Sequence, residues 1–474
     1  MVNDNVHHDT LTNASPLERA RHLLRMVEAT EDACLRLPER EGIRLALHDL
    51  HFDADMLRTE IDLAQIEGRT PSWWHSDGRL LLRQASFRGA NLEKSQLARV
   101  DLTGADFSGT LMRAAALDHA GLEQADFTGA DLTATSFVAA AASQADFTEA
   151  LLEDARFRGA ILRFAKFDEA LLEGADFTEA DLWGAQFIRA EARGAKFNGA
   201  TLREASLEGA DLQSADLRGA QLQNSNLGGA RLRGANLRGA DLGRAKLDGA
   251  DLADAELVQV NLLTCQLRHV RLAGAWMERT RLRIDQLGGA IGEDVAGEWA
   301  SARQGYLDLE QNFRGLGDAE GASWCYRRAR RMGKRANGQN ARLAAGARQW
   351  RVAISHAFSW ISDNFVEWLC DYGDSIPRVV RAYGVTLLAF AVFYWLSGSL
   401  VRPVESGGTT SLHVTHDFVD LLSFSFLNQI TSTTPDLGLK LASKAVYVVS
   451  SLQYVVGVVL IGLFGFVLGN RIRR

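Results

Sequence analysis

Ala-Asp-Phe-Ser-Gly at residues 105–109 is the unit behind the longest regular part of this 474-residue chain. Ala-Ser-Phe-Arg-Gly at 85–89 has the same form, with a small residue two places before Leu or Phe. From Leu80 to Ala290 this spacing returns every five residues, a period that fits neither an α-helix nor an ordinary strand. One small and one large inward residue per unit would fill a narrow core, so the pattern predicts a stacked solenoid.

Residues 80–290 resemble the pentapeptide-repeat family, whose unit reads Ala-Asp/Asn-Leu-x-x. The resemblance implies a right-handed quadrilateral β-helix, in which four units make one coil. About 42 units then give about ten coils and, at ~4.8 Å between strands, a rod about 50 Å long. Cys265 replaces Ala in the small inward column, as Val260, Val270 and Thr280 do. We therefore expect Cys265 in the core and not as a reactive thiol.

Two long apolar runs lie near the C-terminus. The run from Ala445 to Gly469 has no charged residue and exceeds the roughly 30 Å of bilayer hydrocarbon, and the run from Val385 to Val401 is shorter. We expect both to span a membrane; a buried helix of a soluble protein is the alternative for each. Between them, Asp417 to Ile430 reads as an apolar helix too short to cross. Such a half-crossing needs protein or water around it, because unpaired backbone in lipid costs several kcal/mol per group.

The segment from Tyr372 to Arg474 resembles the two-transmembrane pore module of the potassium-channel superfamily. The resemblance implies a tetramer in which backbone carbonyls of four filter segments replace the hydration shell of the ion. It also implies a bend in the inner helix at a glycine, for which Gly457, Gly462 and Gly465 are the candidates. The filter candidates are Thr433, Thr434, Pro435, Asp436, Leu437 and Gly438.

The filter segment departs from the Thr-Val-Gly-Tyr-Gly pattern. Pro435 stands in place of Val, Asp436 in place of the first Gly, and Leu437 in place of the aromatic residue. One interpretation is a ring of four Asp436 carboxylates, which favours cations. The other is that Pro435 and Asp436 simply form a turn. No cofactor is expected, and a permeant monovalent cation, potassium or sodium, is the expected ligand.

The remaining segments suggest a multidomain protein with an α-helical linker and a two-span membrane domain. Ser301 to Arg335 reads as a single tetratricopeptide-style helix pair, and apolar residues from Trp350 recur at helical spacing. The predicted domains are a helical cap at 1–75, the β-helix at 80–290, a basic coupler at 291–349, an amphipathic interfacial helix at 350–376 and the pore domain at 377–474. Within the pore domain we expect a first span at 380–401, a pore helix at 416–430, a filter at 431–438 and a second span at 444–470.

Charge and composition limit the function. A net charge of −7 disfavours nucleic acid as the partner. Nine Lys or Arg and no acid lie between Glu320 and Asp363, and three Arg follow the second run, which places both termini on the cytosolic side. No signal peptide and no catalytic or zinc-binding motif is found, so an enzyme is not expected.

The predicted function is a cation channel of a bacterial cytoplasmic membrane. The β-helix would assemble the tetramer, regulate it or bind a cytosolic protein partner, and lipid would surround the spans. A non-conducting membrane-anchored scaffold and a membrane-permeabilising effector held closed by its cytosolic domain are the alternatives.

Overall fold

The computed structural model describes residues 83–84, 86–406, 409–431, 437 and 439–472. The N-terminal cap predicted at 1–75 lies outside these residues. The chain forms two compact units, Met1–Gly317 and Asp318–Arg474. The boundary falls in the turn predicted between the two tetratricopeptide-style helices, so each helix belongs to a different unit.

The first unit contains a β-helix with four sides. Parallel bridges join the residue before the Leu or Phe of one pentad to the residue 20 positions later, from Ser86↔Asp106 to Asn261↔Arg281. Four pentads therefore complete one coil. The Leu or Phe of each pentad and its small partner are buried along the whole rod, including the variants Val260, Cys265, Val270 and Thr280. The two-residue inward pattern predicted from the repeat is confirmed.

Phenylalanine rings form two columns inside the rod. Neighbouring rings of a column stack nearly parallel with centroids 4.6–5.0 Å apart. Rings of different columns meet edge to face at 5.5–5.8 Å. Both arrangements are favourable for aromatic pairs, because each ring edge or offset face meets a complementary part of the quadrupole. The columns are Phe87, Phe107, Phe127, Phe147, Phe167 and Phe187, and Phe137, Phe157, Phe177 and Phe197.

Nearly every pentad corner is a turn in which the residue two positions after the Leu or Phe has a positive φ. Glycine occupies many of these positions, for example Gly129 with φ +64°. Non-glycine residues occupy others, and Phe164, with φ +58°, is the bulkiest of them. Its ring lies against the space where Gly184 has no side chain and 4.9 Å from the ring of Trp183.

The coils end before the predicted limit at residue 290. Ile284–Leu287 is a 3-10 helix, followed by α1 (Gly292–Val295) and α2 (Trp299–Gly315). The pentad pattern stops at this point because Gly288 and Gly289, both with positive φ, turn the chain away. The residues after Arg281 close the end of the rod instead of extending it.

Side chains of this closing segment replace the next coil. Gln286 Nε2 donates to the carbonyl of Cys265 at 2.8 Å. Glu293 Oε1 accepts from Leu272 N at 2.8 Å and Ala273 N at 2.6 Å. These bonds occupy strand-edge groups that otherwise pair with another chain.

The second unit begins with three helices: α3 (Ala319–Gly346), α4 (Trp350–Cys370) and α5 (Ile376–Ser397). Helix α5 begins and ends four residues before the span predicted at 380–401. Pro377 in the first turn favours the earlier start. Gly398, with φ +57°, ends the helix.

A small sheet and two further helices complete the second unit. Strands β1 (Leu400–Ser406), β2 (Thr409–Val414) and β3 (Lys440–Leu441) are all antiparallel, in the order β2-β1-β3. The sequence analysis did not predict this sheet. Helices α6 (Phe418–Ile430) and α7 (Lys444–Ile472) match the regions predicted at 416–430 and 444–470 to within two residues.

Candidate functional site

Two helices of the second unit have the length and composition of membrane spans. They are α5 and the segment Lys444–Gly469 of α7, and only 22% of each apolar stretch is buried. Helix α6 is apolar but has 13 residues, too few to cross. Helix α6 lies between α5 and α7 and contacts both. The candidate site is therefore formed by the residues that surround α6.

A buried polar face attaches α6 to its neighbours. Ser425, Asn428 and Gln429 recur at helical spacing, and each is at most 3% exposed. Toward α5, Ser425 Oγ donates to Leu387 O and Gln429 Nε2 donates to Thr386 Oγ1, both at 2.9 Å. Hydrogen bonds of this kind hold a helix in one rotation, because any other rotation leaves buried polar groups unpaired.

Gln453 of α7 is the centre of the network. Its Nε2 donates to Ser425 O at 2.9 Å and to Ser425 Oγ at 2.7 Å. Its Oε1 accepts from Tyr394 OH at 2.9 Å and from Asn428 Nδ2 at 3.0 Å. Asn428 also exchanges two bonds with Ser450, donating to its carbonyl and accepting from its hydroxyl, each at 2.9 Å. One glutamine therefore joins α5, α6 and α7.

Gly457 lies where α7 approaches α6 most closely. A Cβ atom built at Gly457 would overlap the carbonyl oxygen of Gln429 and lie 2.6 Å from its Cγ. Gly462 and Gly465 have open space around the corresponding position. All three lie within the continuous helix α7. Their role as hinges stays a prediction, whereas close packing against α6 is a visible reason for glycine at residue 457.

The filter candidates lie mostly outside the described residues: Thr433, Thr434, Pro435, Asp436 and Gly438. Leu437 is described and packs against an apolar cluster that contains Tyr394, Phe424 and Leu439. Strand β3, which follows, pairs Leu441 with Leu400 of β1. The chain on the C-terminal side of the segment is thus anchored to the end of α5.

Four basic residues of α3 are paired with acids of α4 and of the turn that follows it. Arg330 contacts Asp363 at 2.8 Å, and Arg331 contacts both Glu367 and Asp371 at 3.1 Å. Ion pairs also join Lys334 to Glu367 and Arg327 to Asp374. Acids from Asp363 onward therefore neutralise part of the charge on which the orientation prediction rests. The sequence window between Glu320 and Asp363 did not include these acids, and the orientation stays a prediction.

The opposite side of α4 is apolar and uncovered. Phe358 is 73% exposed and Ile354 is 67% exposed. Ile361, Phe365 and Trp368 are also exposed. Helix α4 runs from Trp350 to Cys370, and a turn fills the rest of the region predicted at 350–376. One side of this helix thus pairs with α3, while the other offers apolar surface to its surroundings.

Nothing in the described part of the chain indicates a catalytic or metal centre. No group of three His, Cys, Asp or Glu side chains there could hold a metal ion. Burial raises the pKa of the Cys265 thiol to about 11, so it stays protonated and unreactive at neutral pH.

Comparison with known proteins agrees with the coil geometry. The family model described as pentapeptide repeats matches a series of overlapping segments that together cover residues 81–283. Residues 81–283 are a pentapeptide-repeat domain. The family match ends before the helices of the second unit, so the likeness of residues 372–474 to potassium channels stays an expectation.

Three solved structures resemble the pentapeptide-repeat domain. HetL, a pentapeptide repeat protein involved in heterocyst differentiation regulation in the cyanobacterium Nostoc, is 29% identical over 49% of this chain and 98% of its own, with a TM-score of 0.27. Rfr23 of the cyanobacterium Cyanothece 51142 is 30% identical over 20% of this chain and 61% of its own, with a TM-score of 0.18. QnrB1, a plasmid-mediated fluoroquinolone resistance protein, is 18% identical over 46% and 98%, with a TM-score of 0.28. No curated protein matches the chain.

Proposed function

We propose that the chain is a tetrameric cation channel in which α5, α6, α7 and the segment at 431–438 form the pore. The observation that supports this most is the buried network around Gln453. It holds an apolar helix of 13 residues between two helices of spanning length. A short helix at membrane depth needs protein contacts of this kind.

The pentapeptide-repeat domain supports a protein-interaction role. We propose that it assembles or regulates the pore, or binds a cytosolic partner, and that the exposed apolar side of α4 lies at the membrane interface. Exposed Trp and Phe opposite a charged side are typical of such helices. Permeant potassium or sodium would pass the ring of Asp436 carboxylates.

The test is a reversal-potential measurement in planar bilayers with purified full-length protein under opposed potassium and sodium gradients. We expect a current that prefers cations in the wild type and loses that preference in Asp436→Asn. Asp417→Asn is the matched control, because it removes one charge at the other end of α6 while Asn still caps that helix. Loss of preference in both variants, or in neither, contradicts the acidic ring.

A second variant tests the network. Gln453→Leu leaves Tyr394, Asn428 and Ser425 without their buried partner, at about 1–3 kcal/mol for each unpaired group. We expect it to abolish the current. Ser451→Ala, two residues before Gln453 in α7, is the control. It removes only a bond to Tyr447 O of the same helix and should leave the current unchanged.

A non-conducting membrane-anchored scaffold is the outcome if verified tetramers pass no current under any gradient. The pentapeptide-repeat domain would then be the functional domain of the chain, and binding experiments would identify its partners.

A further inference from the structure

The last coil of the rod has three backbone groups without hydrogen-bond partners. In the coil below, Ala255 O accepts from Trp276 N, Leu257 N donates to Trp276 O, and Gln259 N donates to Glu278 O, each at 2.9 Å. The equivalent groups one coil later are Ala275 O, Met277 N and Arg279 N. Within the described parts of the chain, none of these three has a partner. They form an open strand edge.

The closing helix α2 covers this edge only at its two ends. At one end Asp308 Oδ2 accepts from Gly274 N at 2.9 Å. At the other end Asn312 accepts from Thr280 N at 3.1 Å and donates to Thr280 O at 2.8 Å. The strand between these points remains free. Between these points the chain is extended at Ala275–Met277 and then bends at Glu278 and Arg279, so a bound segment has to follow the same corner.

A groove follows the free stretch. It has a volume of about 490 Å³ and lies between residues 274–279 and the side of α2 that carries Gln311 and Gly315. A Cβ atom at Gly315 would meet nothing within 4 Å, so the groove is open at this end. Trp276, which is 59% exposed, stands beside it. The residues with unpaired backbone groups therefore line the groove.

The repeat defines how a strand would bind there. A parallel strand in the register of the next coil would donate from one residue to Ala275 O and accept at that residue from Met277 N. Two residues later it would accept from Arg279 N. The first of these residues would lie beside Trp276, the middle one over Met277 and the third beside Glu278, since equivalent positions of successive coils stack directly.

We propose that this groove binds an extended peptide segment of a partner protein by strand addition. Main-chain bonds to the three free groups would provide affinity, and side chains would provide selectivity. An aromatic side chain suits the position beside Trp276, and Lys or Arg suits the position beside Glu278. The fitting segment therefore reads aromatic, apolar, basic. The inference rests on the rod alone and is independent of the pore proposal.

Hydrogen–deuterium exchange of the full-length protein tests the open edge first. We expect the amides of Met277 and Arg279 to exchange quickly, while those of Leu257 and Gln259, which are bonded one coil earlier, exchange slowly. Equal protection of both segments in the free protein would overturn the proposal. Protection of 277–279 that rises with protein concentration alone would mean that a second copy occupies the edge, which also overturns it.

Binding is tested with a labelled, end-capped peptide Thr-Gly-Trp-Ala-Lys-Gly-Thr. We expect it to protect residues 277–279 and to bind about fivefold more tightly than the same peptide with Glu in place of Lys. Glu278→Lys should reverse this preference. No protection by either peptide, or an unchanged preference in Glu278→Lys, contradicts the proposed register.

Filling the groove gives an independent check. Gly315→Trp places a large side chain into the open space, and Gly315→Ala is its control. Binding should fall about tenfold or more in the Trp variant and remain in the Ala variant. N-methylation of the peptide Trp, which removes the donor to Ala275 O, should have the same effect as the Trp variant. Binding that is indifferent to both changes would exclude strand addition at this groove.

Discussion

The residue two positions after the Leu or Phe of each pentad shows how strongly one backbone angle restricts the choice of residue. Nearly every coil corner has a positive φ at this position, Thr264 being an exception, and glycine adopts it without a steric penalty. Other residues pay about 1–2 kcal/mol, because Cβ approaches the following carbonyl oxygen. Many corners of this rod nonetheless carry Glu, Arg or Gln. The coil tolerates them because the stacked core on either side holds the turn in place.

A pair of substitutions tests this at two exposed corners. Gly129→Ala should lower the free energy of unfolding of the rod by about 1 kcal/mol, and Ala139→Gly, with φ +54° at present, should raise it by somewhat less. A Cβ at Gly129 would meet nothing within 4 Å, so the cost is conformational and not steric. Urea unfolding of the full-length protein, followed by circular dichroism, measures both. Destabilisation by both substitutions would contradict the account.

At the scale of elements, charged residues decide how α4 pairs with α3. Glu367 accepts from Lys334 and Arg331 of α3, and its backbone carbonyl accepts from Arg378 Nη1 of α5 at 2.6 Å. Burial alone raises the pKa of Glu367, but the hydrogen bond and charge of Lys334, with the charge of Arg331, outweigh it and lower the pKa below the ordinary value of 4.5.

Acid should therefore loosen this helix pair. Because the folded pKa of Glu367 is lowered, its contribution is present above pH 4.5 and is lost as the pH falls through the folded pKa. We expect amide exchange in α3 and α4 to rise below pH 4.5, after correction for the intrinsic rate. The effect of Glu367→Gln should be largest at neutral pH and vanish in acid.

The control for this prediction is Glu320→Gln, an acid in the first turn of α3 for which the structure shows no ion pair with α4. If Glu320→Gln reproduces the pH profile of Glu367→Gln, the effect is one of general charge and not of the pairing between α3 and α4.

At the scale of the whole molecule, the proposed spanning by both α5 and α7 would return the chain to its starting side. Residues before α5 and residues after α7 must then share one side of the membrane, whichever orientation the pair adopts. Arg342, Arg348 and Arg351, together with the three arginines at the C-terminus, lead us to expect the cytosol on that side.

Tags placed after Met1 and after Arg474 test this arrangement in intact and permeabilised cells. Both tags should be inaccessible to an external antibody until the inner membrane is opened. Tags on opposite sides would mean an odd number of spans and would exclude the hairpin arrangement of α5, α6 and α7. Two accessible tags would reverse the orientation and leave the hairpin intact.

The sequence also predicted the regular elements of this protein in some detail. The pentad predicts the rod because each unit repeats the same local choice of a small and a large inward residue, and the coil register follows from their spacing. The long apolar runs predict α5 and α7, because a helix that crosses a bilayer needs about 20 such residues, and the shorter apolar run between them predicts α6. Gly398 and Pro377 explain why α5 is displaced by four residues, although the sequence analysis did not use them.

Part of the candidate site could have been predicted and part could not. Polar residues inside apolar helices mark contacts between helices, because lipid disfavours them. The sequence shows four such residues: Ser425, Asn428 and Gln429 at helical spacing, and Gln453 inside an otherwise apolar run. Their partners could not be assigned, because Tyr394, Asn428 and Gln453 are brought together from three separate helices.

By itself the sequence determined the solenoid, its buried columns and the lengths of the apolar helices, because these depend on residues within one period or one run. Only the tertiary structure decided the closing of the rod by Glu293 and Asn312, the pairing of α3 with α4, the sheet beside the filter segment and the bonds around Gln453. Each of these contacts joins residues that are far apart in the chain. A hydrogen bond or ion pair depends on the distance between two atoms in space, and the spacing of residues along the sequence does not give that distance.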